Sequence, residues 1–166
     1  MGSQYRSCTG NQSKGNNNYE LDFLWSSVES LCRQSTEAIY QVMMAIPNHH
    51  VQLRRCLGDL AVERSRLIGT RHRTISTELS KPTILNSFIQ DIARNYQKLG
   101  CEAVESRQGI PALSHLVLVD RVTLSYLRNA VRRLPLNAET IGIASVIASL
   151  QMNNDRMRDC WRKRTE

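Results

Sequence analysis

The chain has 166 residues, of which 41% are hydrophobic and only 5% aromatic, and a formal net charge of +7 at pH 7. This length fits one domain with a sizeable core, and no apolar run approaches the roughly 20 residues that a helix needs to cross a bilayer. The moderate positive charge raises encounter rates with nucleic acid, anionic lipid and acidic proteins, but it selects none of them.

Residues 1–18 are rich in Gly, Ser, Asn and Gln and contain almost no aliphatic side chains. Such a segment cannot bury enough apolar surface to offset the entropy of ordering, so we predict a flexible tail. Its Met-Gly start resembles a myristoylation signal, but Arg6 stands where Ser or Thr is needed, so no lipid anchor is predicted. A single helical domain is then expected over residues 19–166.

Two long helices are predicted next, over residues 20–45 and 51–79. In both, apolar residues recur at steps of three and four, which is the spacing of one helix face. Pro47 ends the first helix, because a proline disfavours helical conformation at the residue before it. Gly58 and Gly69 each weaken the second helix by about 1 kcal/mol relative to alanine, so packing must compensate.

Three more helices are predicted over residues 83–106, 112–134 and 138–164, the last with Asn137 as its N-cap. The short connections between helices imply antiparallel neighbours, and no strand pattern is present. The predicted fold is therefore all-α, an up-and-down bundle of four or five helices. Seven aliphatic residues on the apolar stripes are predicted to face its core: Leu31, Ile39, Leu60, Leu67, Ile92, Leu124 and Ile147.

The segment 24–40, with the sequence LWSSVESLCRQSTEAIY, is followed by the apolar stretch 53–57 and by an Ala-x-Glu-Arg step that ends at Arg64. This pattern resembles an uncharacterised family of bacterial ferritin-like bundles. Asp120 and Tyr126 stand where that family tends to place an acidic residue and a tyrosine. The resemblance covers residues 19–131 and implies a ferritin-like fold and a stress-related role.

Ferritin-like bundles that hold two metal ions need a Glu-x-x-His pair on each of two helices, together with further carboxylates. No Glu in this chain is followed three residues later by His, and the partner position of Glu63 is occupied by Arg66. Ala93 and Asn154 stand where relatives of this kind would have histidines. The chain therefore lacks most of the metal ligands that iron-storage or oxidase chemistry would need in a bundle of this kind.

Four carboxylates remain as candidate metal ligands: Glu37, Glu63, Glu102 and Asp120. In one interpretation, Glu37 and Glu63 face each other across the first two helices. In the other, which we favour, Glu63 pairs with Arg33, Arg64 or Arg66, because two carboxylates without an imidazole make a poor transition-metal site. No cofactor is predicted, and the alternative is an atypical Fe or Mn carboxylate site.

Histidine and cysteine suggest no other metal or catalytic site. His49 and His50 are adjacent in a predicted turn and cannot share one helix face. The five cysteines are scattered and form no Cys-x-x-Cys pair, and we expect Cys32 and Cys56, which lie on apolar stripes, to behave as small buried hydrophobes. With no secretory signal in view, a reducing cytoplasm is the expected location.

Nine basic residues form a candidate patch for nucleic acid: Arg54, Arg55, Arg66, Arg71, Arg73, Arg158, Arg162, Lys163 and Arg164. Arginine outnumbers lysine, which favours bidentate contacts with phosphate. Acidic residues such as Asp59, Asp155 and Asp159 intervene, however, and favour a solvated face instead. Neither a helix-turn-helix with a glycine turn nor an aromatic stacking platform accompanies the patch.

The chain contains no Gly-x-Ser-x-Gly motif and no glycine-rich phosphate loop, so no enzyme class is indicated. We therefore expect a non-catalytic bundle that works through protein partners or self-association. The alternatives are an atypical di-metal carboxylate protein and a basic helical module that binds nucleic acid.

Overall fold

A computed structural model describes residues 12–69 and 84–163, with side chains from 19 to 67 and from 87 to 163. These residues form five helices: α1 (Gln12–Ala45), α2 (Val51–Gly69), α3 (Ile84–Ser106), α4 (Gly109–Val131) and α5 (Ala138–Arg162). The two described ranges contain no strand, which confirms the all-α prediction. No helix within them is long and apolar enough to cross a membrane.

The five helices form a bundle around α1, which packs against each of the other four. Those four make an arc in the order α2, α5, α4, α3, in which each helix contacts the next. Contacts along α1 show the directions. Phe23 meets Phe88 near the start of α3 and Gln41 meets Gly100 near its end, so α1 and α3 run parallel. The start of α4 at Gly109 lies against Ile46 at the end of α1, so α4 runs the opposite way.

The core is mainly aliphatic, as the low aromatic content predicts. Six of the seven predicted core residues are buried: Leu31, Ile39, Leu60, Ile92, Leu124 and Ile147. Leu67, the seventh, is only partly buried and packs against the core near the end of α2. The three- and four-residue steps therefore predicted the inward faces of the helices correctly.

The ends of the helices depart from the predicted ones. The first helix begins at Gln12, inside the predicted tail, because extending an existing helix adds a hydrogen bond for each residue fixed. Residues 1–11 lie outside the described part. The fourth helix begins at Gly109, since Pro111 in a first turn lacks only an N–H group that would be unpaired there anyway. The predicted helical stretch 70–79 also lies outside the described residues.

Local capping fixes the start of α5. The side chain of Asn137 accepts a hydrogen bond from the backbone N–H of Thr140 at 2.8 Å, as predicted for an N-cap residue. The hydroxyl of Thr140 donates to the carbonyl of Pro135 at 2.9 Å. These bonds tie the α4–α5 connection to the first turn of α5 and hold the two helices as a hairpin.

A disulfide joins Cys56 on α2 to Cys160 on α5. The expectation that Cys56 is a small buried hydrophobe is therefore wrong, whereas Cys32 is free and buried as expected. The bonded residues are 104 positions apart, so only the antiparallel packing of α2 against α5 brings them together.

Candidate functional site

The middle of the bundle contains a polar cluster, which we call the polar centre: Arg64, Tyr96, Asp120, Asn153 and Asn154. Each of these side chains is at most 4% exposed. They come from α2, α3, α4 and α5, so the cluster links all four helices of the arc. The helical register explains their position. Arg64 follows the buried pair Leu60 and Ala61 by one turn, and Asp120 lies one turn before the buried Leu124.

Asp120 is the acceptor at the heart of the polar centre. Nη2 of Arg64 donates to one carboxylate oxygen, Oδ2, in a buried ion pair. The hydroxyl of Tyr96 donates to the other oxygen, Oδ1. Both oxygens of the carboxylate are therefore occupied by donors from the protein itself. Nε of Arg64 also donates to Oδ1 of Asn153 at 2.6 Å, which orients the guanidinium from a second side.

The two asparagines connect the polar centre to the helix backbones. Nδ2 of Asn153 donates to the carbonyl of Leu60 at 3.2 Å and to Oε2 of Glu63 at 3.3 Å. Nδ2 of Asn154 donates to the carbonyl of Val117 at 3.4 Å. Its Oδ1 is buried and has no hydrogen-bond partner among the described residues. The α5 helix is thus fixed against α2 on one side and α4 on the other.

Three groups in or beside the polar centre, Arg64, Tyr96 and Cys32, have raised pKa values. Burial opposes the charge of Arg64, but the Asp120 carboxylate outweighs it and raises the pKa of this guanidinium. Burial, reinforced by Asp120, raises the pKa of Tyr96 well above its usual value. Burial also raises the pKa of the nearby Cys32 thiol to about 12. Arginine is therefore charged and the phenol and thiol are neutral near pH 7, whereas a general acid or base works best with a pKa near the working pH.

The structure does not bring the four candidate carboxylates together. Asp120 is enclosed in the polar centre, whereas Glu37 and Glu102 are exposed, and Glu102 lies 3.8 Å from Lys98. Glu63 is half-buried at the edge of the polar centre. Among the residues whose side chains are described, no three His, Cys, Asp or Glu residues are grouped so that they could hold a metal ion.

Glu63 pairs with a residue that the sequence interpretation did not consider. Both of its oxygens accept from Nη1 of Arg156 on α5, at 2.6 and 2.7 Å. This hydrogen-bonded pair lowers the pKa of Glu63. The predicted partners are engaged elsewhere or only nearby. Arg33 lies 3.4 Å from Glu29 and Arg64 pairs with Asp120, so neither is the partner of Glu63. Arg66 acts on Glu63 only as a nearby charge, which also lowers its pKa.

Five members of the predicted basic patch lie at one end of the bundle, and a sixth, Arg66, lies apart from them. Arg54 and Arg55 lie in the first turns of α2, and Arg158, Arg162 and Lys163 lie at the end of α5, at the same end of the bundle. Arg66 is eleven residues after Arg55 on α2, or about 16 Å along the helix axis. Three further members of the predicted patch lie outside the described residues: Arg71, Arg73 and Arg164.

Several of these cations have partners in the chain. Nη1 of Arg54 donates to the carbonyl of Ile46 at 3.2 Å and to the side chain of Asn48, and it thereby caps the end of α1. Arg158 lies 3.4 Å from Asp155 and 3.7 Å from Asp159. These contacts fit a solvated face better than a phosphate-binding surface.

A cleft of about 490 Å³ opens at the end of the bundle where α2 begins and α5 ends. It is lined by the Cys56–Cys160 disulfide, by Lys163 and by the residues 49–53. His49 and His50 line it with their ring centres 3.8 Å apart. His49 is exposed and His50 is partly buried, and both lie in the connection between α1 and α2, in keeping with their predicted place in a turn.

The sequence interpretation treated Arg64 as a possible partner of Glu63 and Asp120 as a candidate metal ligand, and it did not join the two. Two charged residues at buried positions of otherwise apolar stripes are a signal of a buried ion pair, since isolated charges are rarely buried. Tyr96 and Asn153 carry no such signal, because an aromatic residue or an amide in a stripe is compatible with many environments. Their contribution follows only from the packing of helices that are distant in the chain.

Comparison with protein-family models, with curated proteins and with solved structures finds no match for this chain. The description of the five-helix bundle therefore comes from the structure and not from any related protein. The resemblance to ferritin-like bundles therefore remains a prediction from the sequence.

Proposed function

We propose that this chain is a non-catalytic helical bundle that acts through contacts with other proteins. The observation that carries this proposal is Arg64, a cation buried in the polar centre and bonded to the only fully buried candidate ligand, Asp120. A divalent ion at Asp120 would have to displace both the guanidinium and the Tyr96 hydroxyl. Repulsion between two cations inside a low-dielectric interior opposes that exchange.

The polar centre has a structural role in this proposal. Removing either partner of a buried ion pair leaves an uncompensated charge, so the pair favours the one packing in which both partners meet. Arg64 and Asp120 come from α2 and α4, whose backbones are not neighbours within the described residues and which meet through these side chains. The pair would thus fix the positions of two helices, α2 and α4, on opposite sides of α5. Contacts with partner proteins would then be made by the outer surface of the bundle.

Metal content tests the proposal against its principal alternative, an atypical Fe or Mn carboxylate bundle. Protein purified without a metal-affinity tag should contain far less than one transition-metal ion per chain by elemental analysis. Glu63→Gln should leave that content unaltered and change stability only modestly, because its pair with Arg156 is exposed. Stoichiometric iron or manganese that disappears in both Glu63→Gln and Asp120→Asn would favour the di-metal alternative.

The proposal retains a stress-related role only as an expectation from the resemblance. The expected cytoplasmic location assumes that the scattered cysteines are reduced. Cys56 and Cys160 are bonded in the structure, and disulfides are rare in a reducing cytosol. The disulfide therefore favours a more oxidising compartment over the cytosol.

A further inference from the structure

The hairpin formed by α4 and α5 has exposed apolar side chains on its outer surface. Six of the twelve large hydrophobic side chains found exposed among the described residues lie on α4, on α5 or in the connection between them. Their exposed fractions are 57% for Leu118, 62% for Val122, 50% for Tyr126, 86% for Leu136, 55% for Ile141 and 62% for Met152. We call this surface the α4–α5 face.

On α4, the exposed apolar residues form a stripe. Leu118, Val122 and Tyr126 recur at four-residue steps, so they line one side of the helix over about 12 Å. The ring of Tyr126 also packs against Phe88 of α3, with the ring centres 4.4 Å apart, so Leu118 and Val122 are the open part of the stripe. Exposed Arg121 and Arg128 lie beside the stripe. The only carboxylate of α4 is that of Asp120, which is buried against Arg64. The exposed surface of this helix therefore combines apolar and cationic groups without any anion.

On α5, the exposed surface is uncharged over four turns, because no charged residue occurs from Thr140 to Asn154. Ala144, Ser145 and Ala148 are exposed between Ile141 and Met152. Small side chains allow the backbone of another helix to approach closely. Solvent-facing helices ordinarily carry charged residues on this side, so α5 presents a surface suited to packing.

The charge of the hairpin is unbalanced. Residues 109–154 contain four arginines and two carboxylates, of which Asp120 is buried. Arg121, Arg128, Arg132 and Arg133 make no ion pair with any residue in the described part of the chain. A partner that supplies carboxylates beside an apolar stripe would match both features of this surface.

We infer that the α4–α5 face binds an acidic amphipathic helix of a partner protein, laid between α4 and α5 with its apolar side on Val122 and Ala148. This inference rests on the proposed function and names the partner class. A second copy of the chain fits less well, because it would bring two sets of these four arginines to one interface. An anionic membrane fits less well too, since Ala144, Ser145 and Ala148 would bury little apolar area in lipid.

Synthetic peptides test the inference with the full chain. One peptide is an amphipathic helix with leucines at the a and d positions and glutamates on its polar side. The second replaces each glutamate by lysine, and the third contains the acidic composition in scrambled order. By fluorescence anisotropy, the acidic helix should bind at least about tenfold more tightly than either of the others, and added salt should weaken it.

Variants locate the site. Val122→Glu and Ala148→Glu should each weaken binding of the acidic peptide at least about tenfold, because a carboxylate would face its apolar side and its glutamates. Val104→Glu on α3 and Met44→Glu on α1 are matched controls at exposed apolar positions outside the face, and they should bind normally. Circular dichroism checks that all four variants fold. Arg121→Glu/Arg128→Glu should shift the preference toward the lysine peptide.

Three outcomes would overturn the inference. The first is equal binding of the acidic and basic peptides, or no binding of the acidic one. The second is binding to anionic lipid vesicles that Val122→Glu abolishes while the peptides do not bind. The third is a dimer in analytical ultracentrifugation that Val122→Glu dissociates, which would leave the proposed protein-contact function standing with a different partner. Failure of the proposed function itself would show instead as stoichiometric metal.

Discussion

Arg64 shows how a single residue can organise the interior of a bundle. Its guanidinium is 1% exposed and would be costly to bury alone, yet Asp120 and Asn153 together accept from two of its nitrogens. A buried pair of this kind contributes little net stability compared with an apolar packing, but it strongly penalises any structure in which one partner is missing. The residue is thus better understood as a determinant of helix position than as a source of stability.

The first prediction concerns this pair. Arg64→Met should lower the free energy of unfolding by about 3–5 kcal/mol, because it leaves the Asp120 carboxylate buried without a cation. Arg156→Met, which removes the exposed cation beside Glu63, should cost less than about 1 kcal/mol. Urea denaturation of both variants makes the comparison. The double variant Arg64→Met/Asp120→Leu should recover much of the loss, and similar costs for the two single variants would contradict a buried pair.

The second prediction concerns the two free cysteines in the described part of the chain. Cys101 is exposed and should react with a thiol reagent in the native protein, whereas the buried Cys32 should react only after denaturation. Cys101→Ser should therefore lower the native thiol count by one, and Cys32→Ala should leave it unchanged. Native reactivity that falls in Cys32→Ala would contradict the burial of this thiol.

The same thiol has a signature in the pH dependence of stability. The pKa of Cys32 is raised from 9.0 to about 12 in the folded chain, so folding favours its protonated form. The stabilisation from this group is complete below about pH 9 and is lost as the pH rises toward 12. Cys32→Ala should make the alkaline fall in the free energy of unfolding less steep, while Tyr96, whose pKa is also raised, maintains part of it.

At the scale of the elements, helix contacts depend on the absence of side chains as well as on their presence. A Cβ at Gly109 would lie 2.6 Å from the backbone nitrogen of Ile46 and 2.7 Å from the carbonyl carbon of Ala45. Backbone atoms cannot move aside as a side chain can. The close approach of α4 to the end of α1 therefore requires glycine at this position.

The third prediction compares two glycines. Gly109→Ala should destabilise the protein by about 1–3 kcal/mol through overpacking against the α1 backbone. Gly58→Ala should stabilise it by about 0.5–1 kcal/mol, because Gly58 lies within α2 and its added Cβ would meet only Met43 Sδ at 3.7 Å. Thermal and urea unfolding of the two variants measure both signs. Equal effects would show that the α1–α4 contact is looser than described.

Across the whole molecule, the sequence predicted what depends on local periodicity. The stripes that contain Leu60 and Leu124 predicted helices and their inward faces. Apolar residues that repeat at steps of three and four over about twenty residues indicate an amphipathic helix. The bond between Cys56 and Cys160 and the hydrogen bond from Tyr96 to Asp120 depend on which helices become neighbours. Which helices pack against each other is decided in the whole bundle, and the periodicity of a single helix does not predict it.

The last prediction concerns the disulfide, which covalently joins two helices that pack against each other, α2 and α5. Cys56 and Cys160 close a loop across most of the chain, from the start of α2 to the end of α5. Restricting the unfolded chain in this way should contribute about 2–5 kcal/mol to the free energy of unfolding. Cys56→Ser/Cys160→Ser should therefore unfold at lower urea concentration, and dithiothreitol should bring the unmodified protein to the same midpoint.

The reductant should leave the double variant unchanged, and Cys101→Ser should retain the full response to it. A midpoint that does not move on complete reduction would mean that α2 and α5 are held together by Asn153, Glu63 and Arg156 without help from the bond.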